Sequence, residues 1–166
     1  MALGIGCNYS GGKGDEMNIR ELGKRETPPF DLLLLADPSR ELVEEYLAIG
    51  KCHVAEMAGD IVGVYVLARL DMETMEIMNI AVDERMHGQG IGKKLVEDAI
   101  QVARELGVQS LEVGTGNSSI GQLALYQKCG FRMEGVIKDF FVDNYDEEIF
   151  ENGIQCRDMI RLVKEL

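Results

Sequence analysis

Apolar residues recur along this chain in two periods, and the switches between them mark out its elements. Met17 opens "MNIRELGK", which reads as a first strand. Leu32 to Leu35, closed off by Asp31 and Asp37, form a short buried stretch or one face of a helix. Asp37 and Ser39 can cap a helix that tolerates Pro38 in its first turn. Leu42, Val43, Tyr46, Leu47 and Ile49 then follow at helical spacing until Gly50 stops the run. "CHVAEMAGDIVGVYVLARL" reads as a hairpin turning at Gly59-Asp60, with Val62, Val64, Val66 and Ala68 on one face of its second strand. "MEIMNIAV", residues 75 to 82, is the next strand.

A helix from about 91 to 106 carries Ile91, Leu95, Ala99, Ile100, Ala103 and Leu106 on one stripe, and Gly107 ends it. "VQSLEV", 108 to 113, is a strand again. This strand–helix–strand unit predicts parallel pairing through a right-handed crossover. A shorter helix spans roughly 119 to 129, and closing strands fall at 131 to 138 and 156 to 163. Between those strands lies an acidic and aromatic connection, "DFFVDNYDEEIFENG". The sum is an α/β protein with a mixed sheet and helices on its faces. Residues 1 to 16 are glycine-rich without periodicity. They read as a flexible tail before a single domain over 17 to 166.

Composition narrows the function. The length of 166 residues fits one domain, and no apolar run reaches the ~20 residues of a membrane span. A net charge of −12 disfavours nucleic acid and favours cationic partners such as amines. Surface acid also aids solubility without any ligand. Cys7, Cys52, Cys129 and Cys156 are scattered, and His53 and His87 are the only histidines. That pattern predicts neither a disulfide scaffold nor a metal site. With no secretion signal, it points to the cytoplasm.

The stretch "ERMHGQGIGKKL", 84 to 95, places Gly88, Gly90 and Gly92 before the long helix. Glycines at a helix N-terminus leave backbone N–H groups free to meet an anion, and the helix dipole adds to the attraction. Lys93 and Lys94 lie where the dipole prefers acids, which favours an anionic ligand. The dinucleotide pattern GxGxxG and the P-loop pattern both fail here. A plain tight turn stays open on the loop alone.

The loop follows "NIAVDE", and about thirty residues later comes "LALYQKCGF". Strand, glycine loop, helix, strand and a helix ending LYxxxGF together resemble the GNAT superfamily of acetyl-CoA-dependent N-acetyltransferases. The resemblance spans roughly residues 17 to 163 and is strongest over 75 to 135. The family loop Q/R-x-x-G-x-G/A falls on His87, Gly88, Gln89, Gly90, Ile91 and Gly92, with His87 departing from Gln or Arg.

The resemblance implies a mixed, mostly antiparallel sheet, with helices on both faces and a central parallel pair splayed around the coenzyme. It implies that the loop, with Lys93, holds the pyrophosphate of acetyl-CoA. Ile80, Ala81 and Val82 would offer backbone groups to the pantetheine arm, like an added strand. Tyr126 matches the tyrosine that serves the leaving thiolate. Glu76, six residues before Val82, is the candidate base; alternation places it on the face of Met78, Ile80 and Val82. Glu73 and Glu112 are its rivals. Asn117, nine residues before Tyr126, or Ser119 at the family position, would bond the pantetheine arm; Ser118 or Ser119 can instead cap the helix.

The acidic, aromatic connection suits a cationic amine, and equally a solvated loop or a dimer contact. The reading is acetyl transfer to the primary amine of a small cationic metabolite, with a homodimer left open. A protein lysine or N-terminal amine is the second acceptor. A non-catalytic CoA-binding regulatory module is the contrasting class.

Overall fold

The computed structural model describes residues 16–166. Cys7 and all but the last residue of the expected tail lie outside them. Strand β1 (Asn18–Glu21) pairs antiparallel with β2 (Lys51–Met57), which pairs with β3 (Asp60–Arg69), which pairs with β4 (Thr74–Val82). The turn between β2 and β3 is Ala58-Gly59, one residue earlier than the sequence predicts. Both residues take positive φ, 51° and 87°, and Met57 faces Asp60 across the ladder. Two left-handed residues are what a tight hairpin needs to match the strand twist.

Two helices, α1 (Phe30–Ala36) and α2 (Arg40–Ile49), connect β1 to β2. Ser39 caps α2, its hydroxyl accepting from the Leu42 N–H at 3.3 Å, so Pro38 precedes the cap and is not in the helix. Leu32 and Leu33 are buried in α1 while Leu35 is exposed. Helix α3 (Ile91–Glu105) then leads from β4 to β5 (Ser110–Gly116), which pairs parallel with β4. Leu106 falls on the C-cap of α3 and faces solvent, outside the buried stripe expected for it. The chain continues through α4 (Ile120–Lys128), β6 (Arg132–Ile137) and α5 (Phe140–Asn144). A small hairpin, β7 (Phe150–Glu151) with β8 (Ile154–Gln155), precedes the last strand, β9 (Met159–Glu165).

The main sheet has the order β1-β2-β3-β4-β5-β9-β6, and β4–β5 is its parallel pair. One face packs Tyr65, Leu67, Ile77, Leu111 and Leu162 under α3 and α4. The other packs Val54, Val64, Val66 and Ala81 under α1 and α2. With both faces covered, β3 is buried over seven consecutive residues, as a central strand must be. No helix among the described residues is long and apolar enough to cross a membrane.

Two irregularities in β4 position the site. The β4–β5 ladder stops at Ile77 opposite Val113. Beyond that point β4 stays paired with β3 as far as Val82, and β5 with β9 as far as Gly116, so the two strands diverge. The register with β3 shifts at the same place: Leu67 faces Ile77 and Val66 faces Asn79, leaving Met78 as the extra residue of a bulge. A bulge reverses the alternation that follows it. Glu76 therefore lies on the α1–α2 face with Asn79 and Ala81. Ile80 and Val82 pack toward α3, contrary to the simple alternation that grouped Glu76 with them.

Candidate active site

Where β4 and β5 part, a cavity of about 910 Å³ opens between Ile77–Ile80 of one strand and Val113–Gly116 of the other. Ser119, Gln122 and Tyr126 of the α4 region close one side, and Asp37, Pro38 and Ser39 another. The segment Asn144–Glu151 forms the rim. Tyr145 straps that rim to the α1–α2 junction, its hydroxyl donating to Asp37 Oδ1 at 3.0 Å.

Tyr126 is 2% exposed and its ring packs on Phe131, centroids 6.0 Å apart. Its hydroxyl makes no hydrogen bond to the described residues. Burial pushes the phenol well above its ordinary range, so it keeps its proton at neutral pH.

Glu76 is half-buried and is not part of the cavity wall. Its cross-strand neighbour is Glu112, which is ion-paired with Arg161. Burial first, and the Glu112 charge second, push the Glu76 carboxyl above the usual carboxylate range; Arg161 opposes them. Glu112 itself is committed to Arg161. Glu73 spends its side chain on Gln109 at 3.0 Å, at the far end of β4 from the gap.

At the end of β4, a 3-10 turn over Glu84–Met86 leads into the glycine loop. Gly88 and Gly90 both have φ of 78°, a region L side chains avoid, and Gly90 is the N-cap of α3. The N–H groups from Gly88 to Lys93 take no intrachain hydrogen bond among the described residues; the first helical bond runs from Lys94 N–H to the Gly90 carbonyl. Nothing lies within 4 Å of where a Cβ on Gly88 or Gly90 would stand, so an anion can approach them. Gly92 differs from them: a Cβ there would sit in ordinary contact with Leu125 at 3.4 Å, where α3 meets α4, so neither space nor backbone conformation demands glycine. Ile91 is buried in the core and offers only its backbone.

The other loop side chains serve the loop. His87 Nε2 lies 3.1 Å from the Val82 carbonyl oxygen. A carbonyl only accepts, so Nε2 carries the hydrogen and ties the loop to its strand. Gln89 donates a long contact to Met86 sulfur, and Lys93 pairs weakly with Glu97 at 3.7 Å.

Asn117 and Ser119 separate. The Asn117 amide donates to the Gln155 carbonyl at 3.1 Å and accepts from the Arg157 and Asp158 N–H groups at 2.8 and 3.0 Å. It staples the β8–β9 loop and does not line the cavity. Ser119 does line it and donates to Glu151 at 3.0 Å, leaving α4 without a side-chain cap.

Sequence reasoning missed Asn79. It is 5% exposed and donates from Nδ2 to the Leu33 carbonyl at 2.9 Å and to the Tyr46 hydroxyl at 2.7 Å. Its Oδ1 is buried with no partner among the described residues, a deficit of about 1–3 kcal/mol for an acceptor removed from water. The signal available was an asparagine inside an apolar strand, where that residue is disfavoured.

Comparison with known proteins agrees with this geometry. The model of the acetyltransferase (GNAT) family matches residues 19–131. The chain is 55% identical over 147 residues to the uncharacterized N-acetyltransferase YvbK of Bacillus subtilis, covering 88% of this chain and 95% of that protein. A GNAT family acetyltransferase from Elizabethkingia anophelis, solved with acetyl-CoA bound, superposes with a TM-score of 0.89 at 51% identity, over 90% of this chain and 98% of the other. An IAA acetyltransferase from Bacillus cereus superposes with a TM-score of 0.88 at 54% identity, over 91% of this chain and 100% of the other. A splayed parallel pair, a bare glycine loop at a helix N-terminus and relatives matched along nearly their whole length converge: the chain belongs to the GNAT family of acetyltransferases and is an acyltransferase.

Proposed function

We propose that the protein transfers the acetyl group of acetyl-CoA to the primary amine of a small cationic metabolite by direct attack. The observation that carries this reading is the cavity at the β4–β5 gap. It brings Tyr126 together with Asp37, Asp146, Glu147, Glu148 and Glu151. A cationic amine is drawn to such a rim by charge, and Phe141, Tyr145 and Phe150 add aromatic faces.

The residues present fit the coenzyme. The unpartnered N–H groups of Gly88 to Lys93 suit its pyrophosphate, with His87 and Gln89 shaping the loop. The edge of β4 that leaves β5, at Ile80, Ala81 and Val82, suits the amide-bearing arm, with the Val82 carbonyl already held by His87. Ser119, just before α4, lines the cavity and supports a polar contact with that arm, and Asn117 serves beside it by fixing the loop. Tyr126 gives its proton to the departing sulfur. Glu76, held above the usual carboxylate range, takes the proton of the incoming ammonium through water.

The test is calorimetric titration with acetyl-CoA, followed by thiol release over spermidine, glucosamine, a lysine peptide and IAA. Release with spermidine or glucosamine supports the reading. Tight coenzyme binding with no amine-dependent release overturns it. Release with the peptide alone moves the acceptor to protein lysine. Glu76→Gln should lower kcat about 100-fold and remove the acidic limb of the pH profile. An unchanged limb places the base elsewhere.

A further inference from the structure

On the face of β4 toward α1 and α2, the gap holds a buried polar side chain that the transfer chemistry has not used. Asn79 directly follows the Met78 bulge, at the first part of β4 that no longer pairs with β5. Both hydrogens of its Nδ2 are engaged, by the Leu33 carbonyl and the Tyr46 hydroxyl. The amide cannot be turned over, because Oδ1 would then face the lone pairs of the Leu33 oxygen. Oδ1 is thus fixed as a buried acceptor without a partner, in a residue that lines the same cavity as Tyr126. Native interiors rarely leave such an atom unsatisfied unless something else binds there.

We propose that Asn79 Oδ1 accepts an N–H of the attacking amine and so directs the nitrogen lone pair at the thioester carbonyl carbon. This rests on the amine-acetylation reading above. Once the ammonium has lost one proton, the amine has two N–H groups and one lone pair; holding one N–H fixes where the lone pair points. The nitrogen–carbon bond forms, the carbon–sulfur bond breaks, and sulfur takes the electron pair with a proton from Tyr126. The nitrogen then loses a proton, which restores the phenol through solvent. A carboxamide suits this place better than a carboxylate, whose charge would favour the unreactive ammonium.

The wild type is first assayed with spermidine, glucosamine and a lysine peptide, and the fastest becomes the probe. Asn79→Ala should bind acetyl-CoA within about twofold of wild type and lose about tenfold or more in kcat/KM for the probe. A merely structural asparagine would cost coenzyme affinity and amine turnover alike. Unchanged kcat/KM with coenzyme binding intact overturns the inference. Should the variant not fold, the wild type carries the test by NMR. With CoA bound, adding the probe should shift the Asn79 side-chain amide signals, and probe binding without that shift overturns the inference. No turnover of any of the three by wild type sinks the amine reading itself, and this inference with it.

Discussion

Tyr126 joins a fully packed ring to a hydroxyl with no partner among the described residues. Replacing it with phenylalanine removes one oxygen and leaves the contact with Phe131. Tyr126→Phe should therefore keep its melting temperature within a few degrees and lose about 100-fold in kcat, the scale of a positioned proton donor. Steady-state thiol release beside a thermal melt checks both; equal kcat would remove Tyr126 from the chemistry. His53 gives a second residue-scale prediction. It is 5% exposed, stacked on Tyr65 at 4.6 Å, and its Nδ1 has no partner among the described residues. Burial lowers its folded-state pKa below the ordinary 6.5, against weaker opposition from Glu21 and Asp98. Below about pH 6.5 the unfolded chain binds a proton that the folded chain refuses. The stabilisation from neutral His53 is thus complete above the unfolded value and declines as pH falls toward the folded one. The slope is at most about 1.4 kcal/mol per pH unit. Denaturant melts from pH 7 to 5 should show this slope in wild type and a flatter one in His53→Gln; matching slopes would show that His53 does not titrate there.

At the scale of elements, the glycine loop and α3 can be tested without harming the fold. Gly90 is the N-cap of α3 at φ 78°, with open space where its Cβ would stand. Aspartate tolerates the left-handed region better than most residues and is a preferred N-cap. Gly90→Asp should cost about 1 kcal/mol of stability, the penalty of a side chain at left-handed φ, while placing a carboxylate where the coenzyme pyrophosphate is proposed to bind. Acetyl-CoA affinity should fall at least about tenfold by calorimetry, and retained affinity would refute the cradle. The elements most legible in the sequence were those set by local pattern: the α3 stripe, the Ser39 cap, the glycine loop and the Leu125–Phe131 frame around Tyr126. The bulge at Met78 was not legible, because it exists only relative to the register of β3. It alone changed which face Glu76 occupies. Asn79 was hidden for the same reason: its partners Leu33 and Tyr46 lie 46 and 33 residues away. The hairpin turn slipped by one residue because Ala58-Gly59 and Gly59-Asp60 are near equals in composition. The ladder partner, Met57 against Asp60, decides between them.

At the scale of the whole molecule, charge is sorted around the cavity. The net charge of −12 is felt everywhere, but Asp37, Asp146, Glu147, Glu148 and Glu151 collect around the cavity, while Lys93 and Lys94 stand at the start of α3. The acidic residues of the rim lie on a segment fixed at two points, by Tyr145 on Asp37 and by Glu151 on Ser119. Such a rim acts mainly on encounter, since exposed charges attract over about one Debye length, roughly 10 Å at 0.1 M salt. For a polycation such as spermidine, raising salt from about 0.02 to 0.3 M, where screening shortens to a few ångströms, should raise KM several-fold and leave kcat nearly constant. Glucosamine, with one charge, should respond less. Neutralising Glu147 and Glu148 to glutamine should flatten the spermidine dependence toward that of glucosamine, because the difference between the two amines comes from the rim. If spermidine and glucosamine respond equally in wild type, the rim does not recruit cations, and acceptor selection rests on the contacts made inside the gap.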